Sequence, residues 1–212
     1  MNNARTKIVF WIRQLLQDYY KAMEKIPDFI FDKFNEILNL ETSLKDESDR
    51  GCALLTVSYL DNELKNLLEK RFLQKKRIIE NLIEGGRPLS SFSSRIDLTF
   101  LIGLIGEKTH GDLNLIRKIR NEFAHKYIPI TFEDPKIKSL CNQLYYSGLV
   151  DSNLIRVRFV KVCVYLLALI HTEYINVKPF SENKDLLVNE NSKQLLKRNS
   201  KLIYDSIFKK DD

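Results

Sequence analysis

The sequence predicts an all-α protein, and three observations predict it. Apolar residues recur at intervals of three and four through most of the chain, as in Leu113, Ile116, Ile119 and Phe123, a helical period with no strand-like alternation. Seven glycines and five prolines in 212 residues fall where these patterns stop. Hydrophobic residues make up 44% of the chain, enough for one main domain with a stable core and no staples.

The elements follow in order. Ile8, Trp11, Ile12, Leu15 and Tyr19 share one side of a first amphipathic helix that Pro27 ends; its apolar run is too short for a signal peptide and meets Arg13 at once. Asp28 caps a second helix to about Leu40, and the polar stretch 41–49 is the first boundary. A long third helix starts near Asp49, with Ala53, Val57, Leu60, Leu64, Leu67 and Phe72 as its core stripe. Asp61 and Glu63 lie off that stripe and suit ion-pair or solvated roles. The loop 84–88 has adjacent glycines but lacks the Gly-Lys-Ser/Thr ending and preceding strand of a phosphate-binding loop, so it reads as a turn. Ser90, Ser91, Ser93 and Ser94 can cap the next helix, from which Ile96, Leu98, Phe100, Leu101 and Leu104 enter the core.

The helix from Asp112 to Tyr127 follows. Pro129 and Pro135 bound an extended connection, helical spacing resumes over 134–146, and Leu154 to Val177 forms the closing core helix, on which His171 is a satisfied or partly exposed histidine rather than a ligand. Leu195, Leu196, Leu202, Ile203 and Ile207 mark a weaker last helix in a polar tail. Three segments result: N-terminal helices packing on the core over 1–44, the main helical domain over 45–177, and a basic extension over 178–212.

Composition narrows the function classes. Cys52, Cys141 and Cys163 are an odd number in apolar surroundings without a C-x-x-C pair, which favours buried thiols in a reducing compartment and disfavours zinc. The most apolar run, Val162 to Ile170, is too short to span a bilayer. The expectation is a cytoplasmic protein with no membrane partner, no metal and no cofactor. Net charge is +6, which permits a polyanionic partner, and basic residues cluster in the tail, at Arg156, Arg158 and Lys161, and around the helix of residues 112–127.

That helix carries the densest polar chemistry. In Arg120-Asn121-Glu122-Phe123-Ala124-His125, a fixed cation, an amide and an imidazole fall within one and a half turns. On a wheel of about 100° per residue, Arg120, Ala124, Arg117, Asn121 and His125 run in order beside the core arc of Leu113, Leu115, Ile116, Ile119 and Phe123. Asn121 and His125 are an i, i+4 pair, and Arg120 reaches their side through its long stem.

The order of Arg120, Asn121 and His125 resembles the signature of the HEPN superfamily, small helical domains many of which are metal-independent endoribonucleases. The resemblance implies an HEPN-like bundle in which Arg120 stabilises phosphate charge, Asn121 orients the site and His125 moves the proton during attack by the ribose 2′-hydroxyl. Arg117, Lys118 and Lys126 would hold the RNA backbone. His110 lies roughly 22 Å from His125 along one helix, at about 1.5 Å per residue, so a second proton carrier requires a homodimer that brings two strips together. The expectation from this motif is a hydrolase with RNA as partner, a ribonuclease in the setting of a toxin or antiviral effector.

Separated blocks in register carry a second resemblance: Asp49-Arg50-Gly51-Cys52-Ala53-Leu54-Leu55, then Ser58-Tyr59-Leu60-Asp61-Asn62-Glu63-Leu64, then residues 85–98, ending in the stretch Ile116 to His125. Together they resemble the mannitol operon repressor family over roughly residues 45 to 145. This implies an all-helical transcriptional regulator. The sequence shows no helix-turn-helix with a basic recognition helix, no zinc finger and no basic zipper, so the alternative to cleavage is a non-enzymatic regulator that acts through a protein partner.

Overall fold

The computed structural model describes residues 28–183 and 189–208, so the expected first helix around Trp11 lies outside the described residues. Every regular element among them is helical: α1 (Asp28–Ser43), α2 (Asp49–Arg71), α3 (Lys76–Ile83), α4 (Phe92–Leu101), α5 (Glu107–His125), α6 (Pro135–Asn142), a 3-10 turn (Tyr145–Leu149), α7 (Ile155–Asn176) and α8 (Glu190–Phe208). The chain divides into two compact units, Met1–Lys178 and Pro179–Asp212. None of the described helices is long and apolar enough to cross a membrane.

The first unit is built around α2, which packs on α7, α5 and α4, while α1 lies on α7 and α6 on α5. Its stripe is the one the spacing predicts: Ala53, Leu60, Leu64 and Leu67 are fully buried, each leucine contributing about 2 kcal/mol. The helix starts where Ser48 Oγ accepts the Gly51 amide at 3.0 Å. Ser91 begins α4 in the same way, accepting the Ser94 amide at 3.1 Å. That helix ends on Gly103, whose φ of +75° lets the Leu104 amide reach Thr99 O at 2.9 Å and its own amide reach Phe100 O at 2.9 Å.

Two expectations change here. Leu101, placed in the core by spacing, is 78% exposed, because α4 stops at that residue and the Gly103 turn carries the chain away. Residues 76–83, without a clear assignment from sequence, form the short helix α3, which buries Ile83 under the bundle.

Three polar clasps hold the helices in register. Arg156 at the start of α7 donates to Asp49 Oδ1 at 2.8 Å, to Leu44 O at 2.7 Å and to Glu47 O, tying α7 to the end of α1 and the start of α2. The other Asp49 oxygen accepts the Phe132 amide at 2.9 Å, and the Phe132 ring fits between Phe123 and Phe159, with centroids 5.0 and 5.1 Å away. Arg95, 7% exposed, bonds Asp61 Oδ1 at 2.8 Å, Leu89 O at 2.9 Å and Ile83 O at 3.3 Å, gathering α2, α3 and α4. Asp112 on α5 accepts the Tyr145 and Tyr146 amides at 2.7 and 3.0 Å and so seats the 3-10 turn. Burial raises the Asp112 carboxyl above its ordinary value despite these two amides, which lower it.

The cysteines are buried and unbonded; burial pushes the Cys141 thiol up to about 12 and Cys163 well above its ordinary value. Glu63 and His171 face each other at 3.8 Å between α2 and α7, so both are structural core groups.

Loss of a clasp leaves several acceptors without a donor. Arg156→Met therefore lowers the unfolding free energy by about 2 kcal/mol, the lower range for a charged group with several partners because the pair is partly solvated. Gly103→Ala costs about 1 kcal/mol for the left-handed backbone. Urea denaturation followed by circular dichroism measures both, and midpoints unchanged from the parent protein would refute the assignments.

Candidate functional site

The buried arc of α5 comprises Thr109, Asp112, Leu113, Ile116, Ile119 and Phe123. Its open side carries Arg117, Arg120, Asn121, Ala124 and His125 as the wheel predicts, with Arg120, Ala124 and His125 exposed. Arg120 Nη1 donates sideways to Asn121 Oδ1 at 3.1 Å. His125 ends the helix, where a cationic ring complements the free carbonyls.

The cations expected to hold RNA are placed separately. Arg117 reaches Asn114 Oδ1 at 3.4 Å through two nitrogens, Lys118 is exposed, and Lys126 lies 3.8 Å from Glu122. Glu122 is held by Lys136 at 2.6 Å. That hydrogen bond is the chief cause that brings its carboxyl below the ordinary value; slight desolvation works against it, and the charges of Lys136, Lys126 and His125 add to it. Upstream, His110 Nε2 meets Asp97 Oδ1 at 2.9 Å, its ring stacks on Phe100 at 4.5 Å, and Asn114 Nδ2 lies 3.2 Å away. His110 is thus part of the α4–α5 contact.

Beyond His125 the chain makes a protrusion that the sequence suggests only as an extended connection. Arg50 on α2 holds Lys126 O, Asp49 holds the Phe132 amide, and Ile130 and Phe132 are buried. Between these anchors Tyr127 is fully exposed and Ile128 is 76% exposed. Asp134 closes the far side by accepting the Thr131 amide at 2.7 Å. The available signal was the aromatic and aliphatic pair next to Pro129, directly after a helix end. An aromatic ring in water directly after His125 and Lys126 offers contact area next to charge. Among the described residues no group of three His, Cys, Asp or Glu side chains could hold a metal ion.

Comparison with known proteins supplies a family and a fold. A family model described as MtlR, mannitol repressor, matches residues 35–151, just over half of the 212 residues. Among solved structures, the chain is similar to a chain of the MtlR–HPr complex from Escherichia coli, with 20% identity and a TM-score of 0.57 over 65% of this chain and 97% of that one. At that identity the likeness is one of fold. No curated protein matches.

The family match overturns the expected endoribonuclease. The whole strip from Arg117 to Lys126 lies within residues matched to a repressor family. The HEPN-type ribonuclease, nuclease and hydrolase activity and the toxin and antiviral settings are corrected accordingly, and RNA as partner loses the support that activity gave it. Within the strip Arg120 bonds its own neighbour Asn121, and Glu122 is bonded to Lys136. The expected two-fold dimer rests on the need for a second proton carrier, and that need belongs to the cleavage reaction.

The Glu122 bridge gives a signed pH dependence. Its folded carboxyl lies below its ordinary value, so its contribution is complete above the ordinary glutamate value and fades as pH falls through the lower folded value. Glu122→Gln should cost no more than about 1 kcal/mol at neutral pH, as for other largely solvated pairs, and nothing in strong acid. Thermal unfolding of both proteins across that range is the measurement; a difference that grows toward acid would contradict the assignment.

Proposed function

The chain belongs to the mannitol repressor family, and on that premise we propose that it is a non-enzymatic transcriptional regulator that acts by docking a protein partner. HPr is the first partner to test, because the similar Escherichia coli structure is a complex with it. The absence of a recognisable DNA-reading motif in the sequence favours regulation through another protein.

One observation carries the reading: Tyr127 and Ile128 stand in solvent on a segment anchored at both ends by Arg50 and Asp49. Exposed apolar residues on a pinned loop lose little freedom when covered, so more of their burial appears as affinity. Aromatic anchors of this kind dominate protein interfaces. Arg120, Asn121, His125 and the flanking Arg117, Lys118 and Lys126 then serve as a polar, positively charged rim that orients the partner and speeds encounter rather than as a reaction centre.

Calorimetric titration of HPr from the same cell into the purified protein tests this. Saturable binding is expected, weakened roughly 30-fold or more by Tyr127→Ala, the loss associated with a central anchor, and further by Ile128→Asp. Lys118→Ala should change affinity only a few-fold and should steepen no salt dependence. Absence of HPr binding would remove that partner, whereas binding indifferent to both loop variants would remove the site.

A further inference from the structure

Helix α8 lies outside the residues matched to the family and has a character of its own. It is 19 residues long and has no buried residue. Leu195, Leu196, Leu202, Ile203 and Ile207 are each 48–59% exposed. On a wheel of about 100° per residue these five occupy one arc of about 140°. Lys193, Lys197, Lys201 and Arg198 fall outside that arc, giving four cations against the two acids Glu190 and Asp205. Helices in proteins draw most of their stability from packing of an apolar face, so this exposed one calls for a cover.

Charge and composition choose among the covers. Crossing a bilayer is excluded for α8 by its polarity. Pairing with a second α8 would bring together the cations that flank the apolar arc, Lys193 and Lys197 on one shoulder and Arg198 on the other, which works against a helix pair. An anionic surface complements all of them. On the lysine shoulder Tyr204 and Phe208 lie between the cations, their rings 4.8 Å apart, a mixture of aromatic and basic side chains suited to the boundary between headgroups and acyl chains. Ser192, Asn199 and Ser206 run along the middle of the apolar arc at seven-residue spacing. Small polar groups there suit shallow burial near headgroups better than a dry helix seam.

We propose that α8 is a membrane-surface helix. It lays its leucine and isoleucine face into an anionic lipid bilayer while Lys193, Lys197, Arg198 and Lys201 engage the headgroups. The site is independent of the Tyr127 protrusion and holds whether or not HPr is the partner of the first unit.

Co-sedimentation of the full chain with vesicles of phosphatidylglycerol in phosphatidylcholine tests the proposal, with pure phosphatidylcholine as the reference. Binding to the anionic vesicles should exceed the reference by at least about tenfold and fall in high salt, since each cation near such a surface is worth roughly fivefold. Leu202→Glu should abolish it, and the Lys197→Glu, Lys201→Glu double variant should reduce it by more than about tenfold; both change exposed residues and leave the first unit's unfolding midpoint in place. Equal binding to both vesicles, no binding, or binding unaffected by these variants would overturn the proposal. So would light scattering that finds a dimer split by Leu202→Glu in a chain that ignores vesicles, an outcome that assigns the face to a second copy.

Discussion

The Asp49 carboxylate is the constraint on which the rest of this structure depends. One of its oxygens takes Arg156 and the other takes the Phe132 amide, so a single side chain at the start of α2 fixes the start of α7 and the segment that follows α5. Arg156 extends the clasp to two carbonyls before α2. Because both partners have several bonds, losing either one leaves groups with no water-free alternative. The neighbouring residue, Arg50, uses the same corner to hold Lys126 O. The Phe123, Phe132 and Phe159 rings then fill the space beneath the segment, which turns a chain connection into a rigid platform.

Function follows from what that platform leaves outside. Catalysis of phosphate transfer needs an acid, a base and a cation aimed at one point. Here Arg120 is turned onto Asn121, His125 sits at the helix end, and the carboxylate between them bridges to Lys136. The same residues, arrayed along an exposed edge beside Tyr127 and Ile128, suit recognition. A motif defined by residue order alone does not distinguish these outcomes, because a helix can present Arg, Asn and His in identical order into a cleft or along a ridge.

Much of the architecture was legible in sequence because helices announce themselves through period and punctuation. The α2 stripe, the serine caps, the α5 arc and the span of α7 all follow from local chemistry that acts within a few residues. The blocks resembling the mannitol operon repressor family were legible too, and the structure explains several of them: Asp49, Arg50, Asp61 and Arg95 are the clasps of the fold. What sequence could not supply was long-range pairing. Arg156 reads as part of a basic cluster, yet its partners lie over a hundred residues away. Leu101 reads as core, but only the position of the Gly103 turn decides that it faces water. Tyr127 was hidden for a related reason, since its exposure depends on anchors contributed by α2. The order of Arg120, Asn121 and His125 was legible as well, but their use depends on geometry that residue identity does not fix.

The central claim is that the edge of α5 and the pinned loop after it form a docking surface. Backbone amide NMR of isotope-labelled protein titrated with unlabelled HPr tests it residue by residue. The account predicts saturable shift changes concentrated from Arg117 to Ile128 and at the Asp49–Arg50 corner, with the core of α7 unmoved. Changes centred elsewhere, for example on the exposed side of α2 around Leu55 and Tyr59, would contradict it.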